Sequence, residues 1–216
     1  MKIIRWFSVY PLKLLLYTNI SANQLSMAWM LLGLIAGVFL IKGDYWWSLS
    51  GMILYQFAYL IDQLDEPVAR YKKQTNLGGE YLDEHTKYLH RTALLAFMSI
   101  GAFNKFQNPI YIYAGLISVL FILMDQIMRL KPFHIYSLNN KFKELKKISK
   151  ISIERQKNRF IVYVIEFFRP QAFNAMLFAA IFDVLHYLLI FYAIMLPIGY
   201  LKTVISGYKE TARFKN

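Results

Sequence analysis

The chain has 216 residues, a formal charge of +12 and no cysteine, and its mean hydropathy is +0.34. The lack of cysteine excludes a fold held by disulfides. Several apolar runs approach the length of about 20 residues that crosses a bilayer, so the composition indicates an integral membrane protein. Lys and Arg are concentrated between these runs, which is typical of cytoplasmic loops and attraction to anionic lipid and argues against a nucleic-acid partner.

The first part of the chain predicts an interfacial helix followed by two membrane spans. Residues 1–19 mix basic with apolar and aromatic side chains, as an amphipathic helix lying in the cytoplasmic interface does. An apolar helix then runs to Ile41, and a second span is predicted over residues 46–64. Because Pro67 removes a helical hydrogen bond, we expect this second helix to bend or end near Asp65.

The rest of the chain predicts four more spans. Two of them cover residues 79–103 and 110–128, and residues 160–206 form two others with a turn near residues 183–186. Between these pairs, residues 129–159 hold ten Lys and Arg against two Glu, which marks a cytoplasmic connector. We therefore predict an all-α integral membrane fold that is a single domain over residues 1–216. It has six transmembrane helices, an N-terminal interfacial amphipathic helix and both termini in the cytoplasm.

Three carboxylates lie at the cytoplasmic ends of the second and third predicted spans. Asp62 and Asp65 are three residues apart, so they share a helix face, and Asp83 stands near the start of the next helix, where it can point back at them. Charged groups at membrane depth are costly and therefore mark a functional site. Three converging carboxylates favour a hard divalent cation, Mg²⁺ or Mn²⁺, over zinc.

The segment from residue 62 to residue 87 resembles the signature of the CDP-alcohol phosphotransferases, also called CDP-alcohol phosphatidyltransferases. That signature reads D-x2-D-G-x2-A-R-x8-G-x3-D-x3-D. Six of its eight fixed positions are present here at the required spacing: Asp62, Asp65, Ala69, Arg70, Gly79 and Asp83. Two positions depart from it, because Glu66 replaces a glycine and Lys87 replaces the fourth aspartate.

The resemblance implies a Mg²⁺- or Mn²⁺-dependent enzyme of phospholipid biosynthesis. Such an enzyme transfers a phosphatidyl group from a CDP-alcohol, such as CDP-diacylglycerol, to an acceptor alcohol and releases CMP. Asp62, Asp65 and Asp83 would be the metal ligands. The substrate-binding positions would be Glu66, Ala69, Arg70 and Gly79, with Arg70 on phosphate and Gly79 allowing close approach of the nucleotide. The resemblance also implies a homodimer in the membrane, and we expect a bacterial cytoplasmic membrane with the site facing the cytoplasm.

The two departures leave the chemistry open. Lys87, one helical turn after Asp83, could replace a metal ion electrostatically, act as the base for the acceptor hydroxyl, or neutralise the carboxylates of an inactive site. His90 is a second candidate catalytic residue because it shares a helix face with Asp83. Glu66 could obstruct the cytidine or supply a metal ligand.

Two other functions are consistent with the same sequence. The chain could be a catalytically degenerate homologue, a non-enzymatic membrane protein that binds nucleotide, lipid or a partner. A small transporter with an acidic site fits less well, because the carboxylates lie at the membrane boundary and not at its middle.

Overall fold

The computed structural model describes residues 10–74, 77–138 and 174–211, and all regular structure in these residues is helical. After a helical segment at residues 10–16, six helices follow: α1 (Ala22–Leu40), α2 (Tyr45–Tyr71), α3 (Leu77–Phe106), α4 (Ile110–Leu138), α5 (Asn174–Ile181) and α6 (Leu185–Thr211). The all-α prediction is confirmed for this part of the chain. The basic connector after residue 138 and the predicted start of the fifth span lie outside the described residues.

Three helices within the described ranges are long and apolar enough to cross a membrane: Ala22–Leu40, Ile110–Ile127 and Leu185–Ile205. Large apolar side chains on α4 and α6, such as Leu116, Leu120 and Ile198, are exposed, as expected of surfaces that face lipid. The chain therefore has the character of an integral membrane protein. Six spans stay a prediction.

Helix α1 is the element against which both α2 and α3 pack. It begins with a capping box, in which the Ser21 hydroxyl accepts from the Gln24 backbone N–H and the Gln24 side chain accepts from the Ser21 N–H. Small residues on its buried face allow close packing. A Cβ at Gly33 would overlap the ring of His90, and a Cβ at Gly37 would overlap that of Phe97.

Helix α2 extends further than the sequence predicts. The expected end near Asp65 is wrong, because the helix continues through Pro67 to Tyr71; the alternative, a bend near Asp65, stays a prediction. The proline lies one turn from the helix end, where it removes a single backbone hydrogen bond. The following residue, Val68, is fully buried against Ala22 of α1 and favours continuation.

The segment before α1 is attached to the end of α2. Residues 10–16 are helical, and Leu12, Leu15 and Leu16 pack on the apolar cluster around Val68. The Lys72 ammonium donates to the carbonyl oxygens of Leu15, Thr18 and Ile20 at 3.3, 2.6 and 2.7 Å. An interfacial position for this segment remains a prediction, and residues 1–9 lie outside the described ranges.

At the opposite end of the bundle, the last turn of α3 makes a polar contact with the turn between α5 and α6. Helix α3 ends at Phe106, three residues beyond its predicted end, and Lys105 donates to both carboxylate oxygens of Asp183 at 2.6 and 2.5 Å. Asp183 lies in the turn between α5 and α6 with a φ of 57°, close to where the sequence places a turn.

Helix α4 continues ten residues past its predicted end, to Leu138.

Substitution of Gly101 tests the close packing of α3 against the end of α1. A Cβ there would lie 1.9 Å from the carbonyl oxygen of Leu40, a backbone atom that cannot move alone. We expect Gly101→Ala to lower the free energy of unfolding by about 1–3 kcal/mol, measured by thermal unfolding in detergent. Gly199→Ala is the matched control, because a Cβ at Gly199 meets nothing within 4 Å. Equal unfolding temperatures for the two variants would contradict the packing of α3 on the end of α1.

Candidate functional site

The three carboxylates predicted to converge do so. One oxygen from each of Asp62, Asp65 and Asp83 lies within 4.8 Å of the others. Asp62 and Asp65 project from one face of α2, and Asp83 lies in the second turn of α3. The first of these helices ends at Tyr71 and the second begins at Leu77, so the acids lie near two helix ends that are close in the sequence.

Each carboxylate is held in place through its Oδ2 atom. The Gln63 amide donates to Asp62 at 3.0 Å, the Ser26 hydroxyl donates to Asp65 at 2.8 Å, and the Lys87 ammonium donates to Asp83 at 2.5 Å. The Ser26 contact ties α1 to α2.

The Oδ1 atoms of Asp62 and Asp83 are buried and have no hydrogen-bond partner among the described residues. A buried carboxylate oxygen without a donor is strongly destabilising. Two such oxygens beside a third carboxylate are suited to a hard divalent cation, which binds through carboxylate oxygens. The residues present therefore fit a Mg²⁺ or Mn²⁺ ion.

Burial makes the repulsion between the carboxylates larger. Asp62 and Asp65 are only 9% and 7% exposed, so water screens their charges weakly. Lys87 supplies one positive charge at this cluster, and its side chain and that of Asp83 are each 31% exposed. The carboxylates of the cluster on α2 are thus buried, whereas its side chains on α3 are partly exposed to solvent.

Glu66 and Arg70 pair with each other at the end of α2. Their side chains are 70% and 73% exposed and meet at 2.5 Å. An exposed pair of this kind is worth little, so either residue can exchange its partner for a ligand. The carboxylates that converge within the described residues do not include Glu66.

Ala69 and Gly79 lie at the same end of the bundle. Ala69 is half-buried and packs against the cluster of Ala22, Leu25 and Val68. Gly79 lies in the first turn of α3 and is also half-buried. Their predicted contact with substrate is not tested by these contacts.

His90 lies deeper in the bundle, two turns or about 10 Å along α3 from Asp83. Its ring is 1% exposed, its Nε2 is 2.8 Å from the Met30 carbonyl oxygen, and it packs edge-on against Trp29. These contacts join α3 to α1. The structure therefore brings Lys87 to the carboxylates but does not group His90 with them.

Sequence reasoning missed two residues that orient the carboxylates, Ser26 and Gln63. Gln63 follows Asp62 directly, a position that carries no pattern of its own. Ser26 lies 39 residues before Asp65. Its only signal in the sequence is that it is a polar residue within an apolar helix.

The fold and the site define a class, an all-helical membrane protein with a carboxylate cluster able to hold a divalent cation. Residues 19–153 match the family profile of the CDP-alcohol phosphatidyltransferases, more than half of the chain, and the protein belongs to this family. A search of curated proteins finds no match. Membership implies phosphatidyl transfer from a CDP-alcohol.

The carboxylate repulsion can be measured through stability. We expect Asp62→Asn to raise the unfolding temperature in EDTA by a few degrees, because it removes one of three mutually repelling charges, two of them buried, and keeps the side-chain shape. We also expect added Mg²⁺ to stabilise the wild type but not this variant.

Asp44→Asn is the control for that measurement. Asp44 is exposed at the opposite end of α2 and its side chain makes no capping hydrogen bond. Its variant should respond to EDTA and Mg²⁺ as the wild type does. If Mg²⁺ stabilised Asp62→Asn as strongly as the wild type, Asp62 would not be a ligand.

Proposed function

We propose that the protein transfers a phosphatidyl group from a CDP-alcohol such as CDP-diacylglycerol to an acceptor alcohol, with release of CMP, in phospholipid biosynthesis. The acceptor oxygen forms a bond to the phosphorus of the phosphatidyl group. The bond from that phosphorus to the bridging oxygen of CMP breaks, CMP leaves with the electron pair, and the proton of the acceptor hydroxyl passes to solvent. The observation that carries the proposal is the convergence of Asp62, Asp65 and Asp83 in a chain of this family.

The proposal includes Mg²⁺, or Mn²⁺ in its place, held by Asp62, Asp65 and Asp83. The ion would neutralise charge on the diphosphate and stabilise the leaving phosphate. Support for it comes from the unpartnered Oδ1 atoms of Asp62 and Asp83. The hydrogen bonds from Ser26 and Gln63 fix the carboxylates in advance, which is how residues around a metal site tune it.

The donor would bind where α2 ends and α3 begins. Arg70 is exposed there and can leave Glu66 to donate to a phosphate, because a charge-assisted hydrogen bond to phosphate is stronger than an exposed ion pair. Glu66, Ala69 and Gly79 would line the same region. Small residues at the last two positions leave room for the nucleotide near the backbone.

Lys87 and His90 take different roles in this proposal. Lys87 donates to Asp83 and so acts as a positive charge at the reacting end. His90 holds α3 against α1 through the Met30 carbonyl, which makes it a positioning residue. The sequence suggested both residues as catalytic, whereas this proposal places only Lys87 at the reacting end.

The membrane arrangement is part of the proposal. Six spans would place both termini, the basic connector and the carboxylates on the cytoplasmic side of a bacterial cytoplasmic membrane. The support is the distribution of Lys and Arg between the apolar runs. The proposed partners are a small acceptor alcohol, membrane lipid and a second copy of the chain. Only the resemblance to the family supports the homodimer.

One observation favours the second function, a catalytically degenerate homologue that binds nucleotide, lipid or a partner. Lys87 replaces an aspartate of the family signature and pairs with Asp83. An ammonium at that place could neutralise a site that has lost its chemistry. The two functions differ in one measurable product, CMP.

The assay is CMP release by the purified protein in detergent, with CDP-diacylglycerol, Mg²⁺ and a panel of acceptor alcohols. We expect CMP that depends on metal and on one acceptor, and we expect Asp65→Asn to reduce it to background because a metal ligand is lost. Folding of the variant is checked by gel filtration. A folded wild type that releases no CMP with any acceptor would establish the degenerate homologue instead.

Ser26→Ala tests the orientation of Asp65 without removing a ligand. Loss of the hydroxyl should lower kcat/KM for CMP release roughly 10-fold, as is usual when a residue supporting a metal ligand is removed, and should raise the Mg²⁺ concentration needed for half-maximal rate. Ser118→Ala is the control, because Ser118 is also buried but donates to its own helix at Ala114. Equal rates for the two variants would remove Ser26 from the site.

A further inference from the structure

We propose that the Lys87 ammonium takes the place of a second metal ion, so that the site binds one divalent cation per chain. This inference rests on the metal-dependent function proposed above and specifies its cation content. It concerns a residue at which this chain departs from the family signature, and it follows from the contacts and the charges of the cluster.

The contacts show that Lys87 is part of the cluster and not a neighbour of it. Its Nζ donates to Asp83 Oδ2 at 2.5 Å, and Asp83 supplies one of the three oxygens that converge within 4.8 Å. Each carboxylate has a donor on its Oδ2, whereas Asp62 and Asp83 keep a buried Oδ1 without a partner among the described residues. Two buried carboxylate oxygens are therefore left for an ion.

The charges of the cluster are balanced by one divalent cation. Three carboxylates carry three negative charges, which one ammonium and one divalent cation balance. A second divalent cation would leave an excess of two positive charges beside two carboxylates that are nine-tenths buried. An unbalanced charge in such surroundings is costly.

A second ion also has too few ligands here. A two-metal site holds its ions about 3.5–4 Å apart, so one ion would have to lie near the position of the ammonium. That ion would meet Asp83 Oδ2, which already accepts from Lys87. Glu66 pairs with Arg70 and is not one of the carboxylates that converge among the described residues.

The experiment counts Mn²⁺ bound per chain by equilibrium dialysis at saturating Mn²⁺, with electron paramagnetic resonance to detect coupled ion pairs. Wild type should bind one ion and show no coupled signal. Lys87→Asp should bind two, with a coupled signal, because a fourth carboxylate replaces the ammonium. Lys87→Arg keeps the charge and should bind one.

His85→Asp is the matched control for an added acid. His85 is exposed and lies on another face of α3 from Lys87, so an aspartate there should leave the count at one. Two ions in the wild type, none in the wild type, or one ion in folded Lys87→Asp would each overturn the inference. The wild-type count decides the question even if Lys87→Asp fails to fold.

The CMP assay on the same preparations separates this inference from the proposed function. One ion together with CMP release supports both. One ion without CMP release supports the cation count and contradicts the transferase. CMP release by a protein that binds two ions supports the transferase and contradicts the role of Lys87.

Discussion

The constraint on which the site depends is the repulsion among three carboxylates brought within 4.8 Å of one another, two of them nearly buried. Such a cluster is unfavourable unless positive charge is supplied and the carboxylates are held by donors. The fold supplies Lys87 and the hydrogen bonds of Ser26 and Gln63. What remains unmatched is two negative charges and two buried oxygens, so the polypeptide alone leaves the site incomplete.

Helix α1 makes this arrangement possible, although it carries no acid of the cluster. It packs against both α2 and α3, and it contributes one polar contact to each: Ser26 to Asp65 and the Met30 carbonyl to His90. Gly33 and Gly37 let the side chains of α3 approach the α1 backbone. Helix α1 thus aligns α2 and α3, the two helices that bear the acids. The position of Asp83 relative to Asp65 therefore depends on packing along α1, away from the site.

The parts of the site that the sequence predicts are those set by local geometry. The spacing of Asp62 and Asp65 placed them on one helix face, and the i, i+4 spacing of Asp83 and Lys87 predicted their pairing. Contacts between distant residues, such as Ser26 with Asp65, have no local signature. The continuation of α2 through Pro67 depends on burial of Val68 against α1, which local propensity does not contain. For the same reason the role of His90, set by Met30 and Trp29, differs from the one suggested by its helix face.

The partial exposure of Asp83 and Lys87 makes a lysine at this position compatible with the proposed transferase. Asp62 and Asp65 are buried on α2, whereas Asp83 and Lys87 are each about one-third exposed. A substrate diphosphate approaching from water would therefore meet the ammonium before it met the α2 carboxylates. An ammonium is a compact positive charge with three donors, so it can hold Asp83 and donate to a phosphate oxygen at the same time. Under the proposed function and cation count, the substitution of a lysine for an acid would move positive charge from a bound ion to the chain itself and keep it near the phosphate of the substrate.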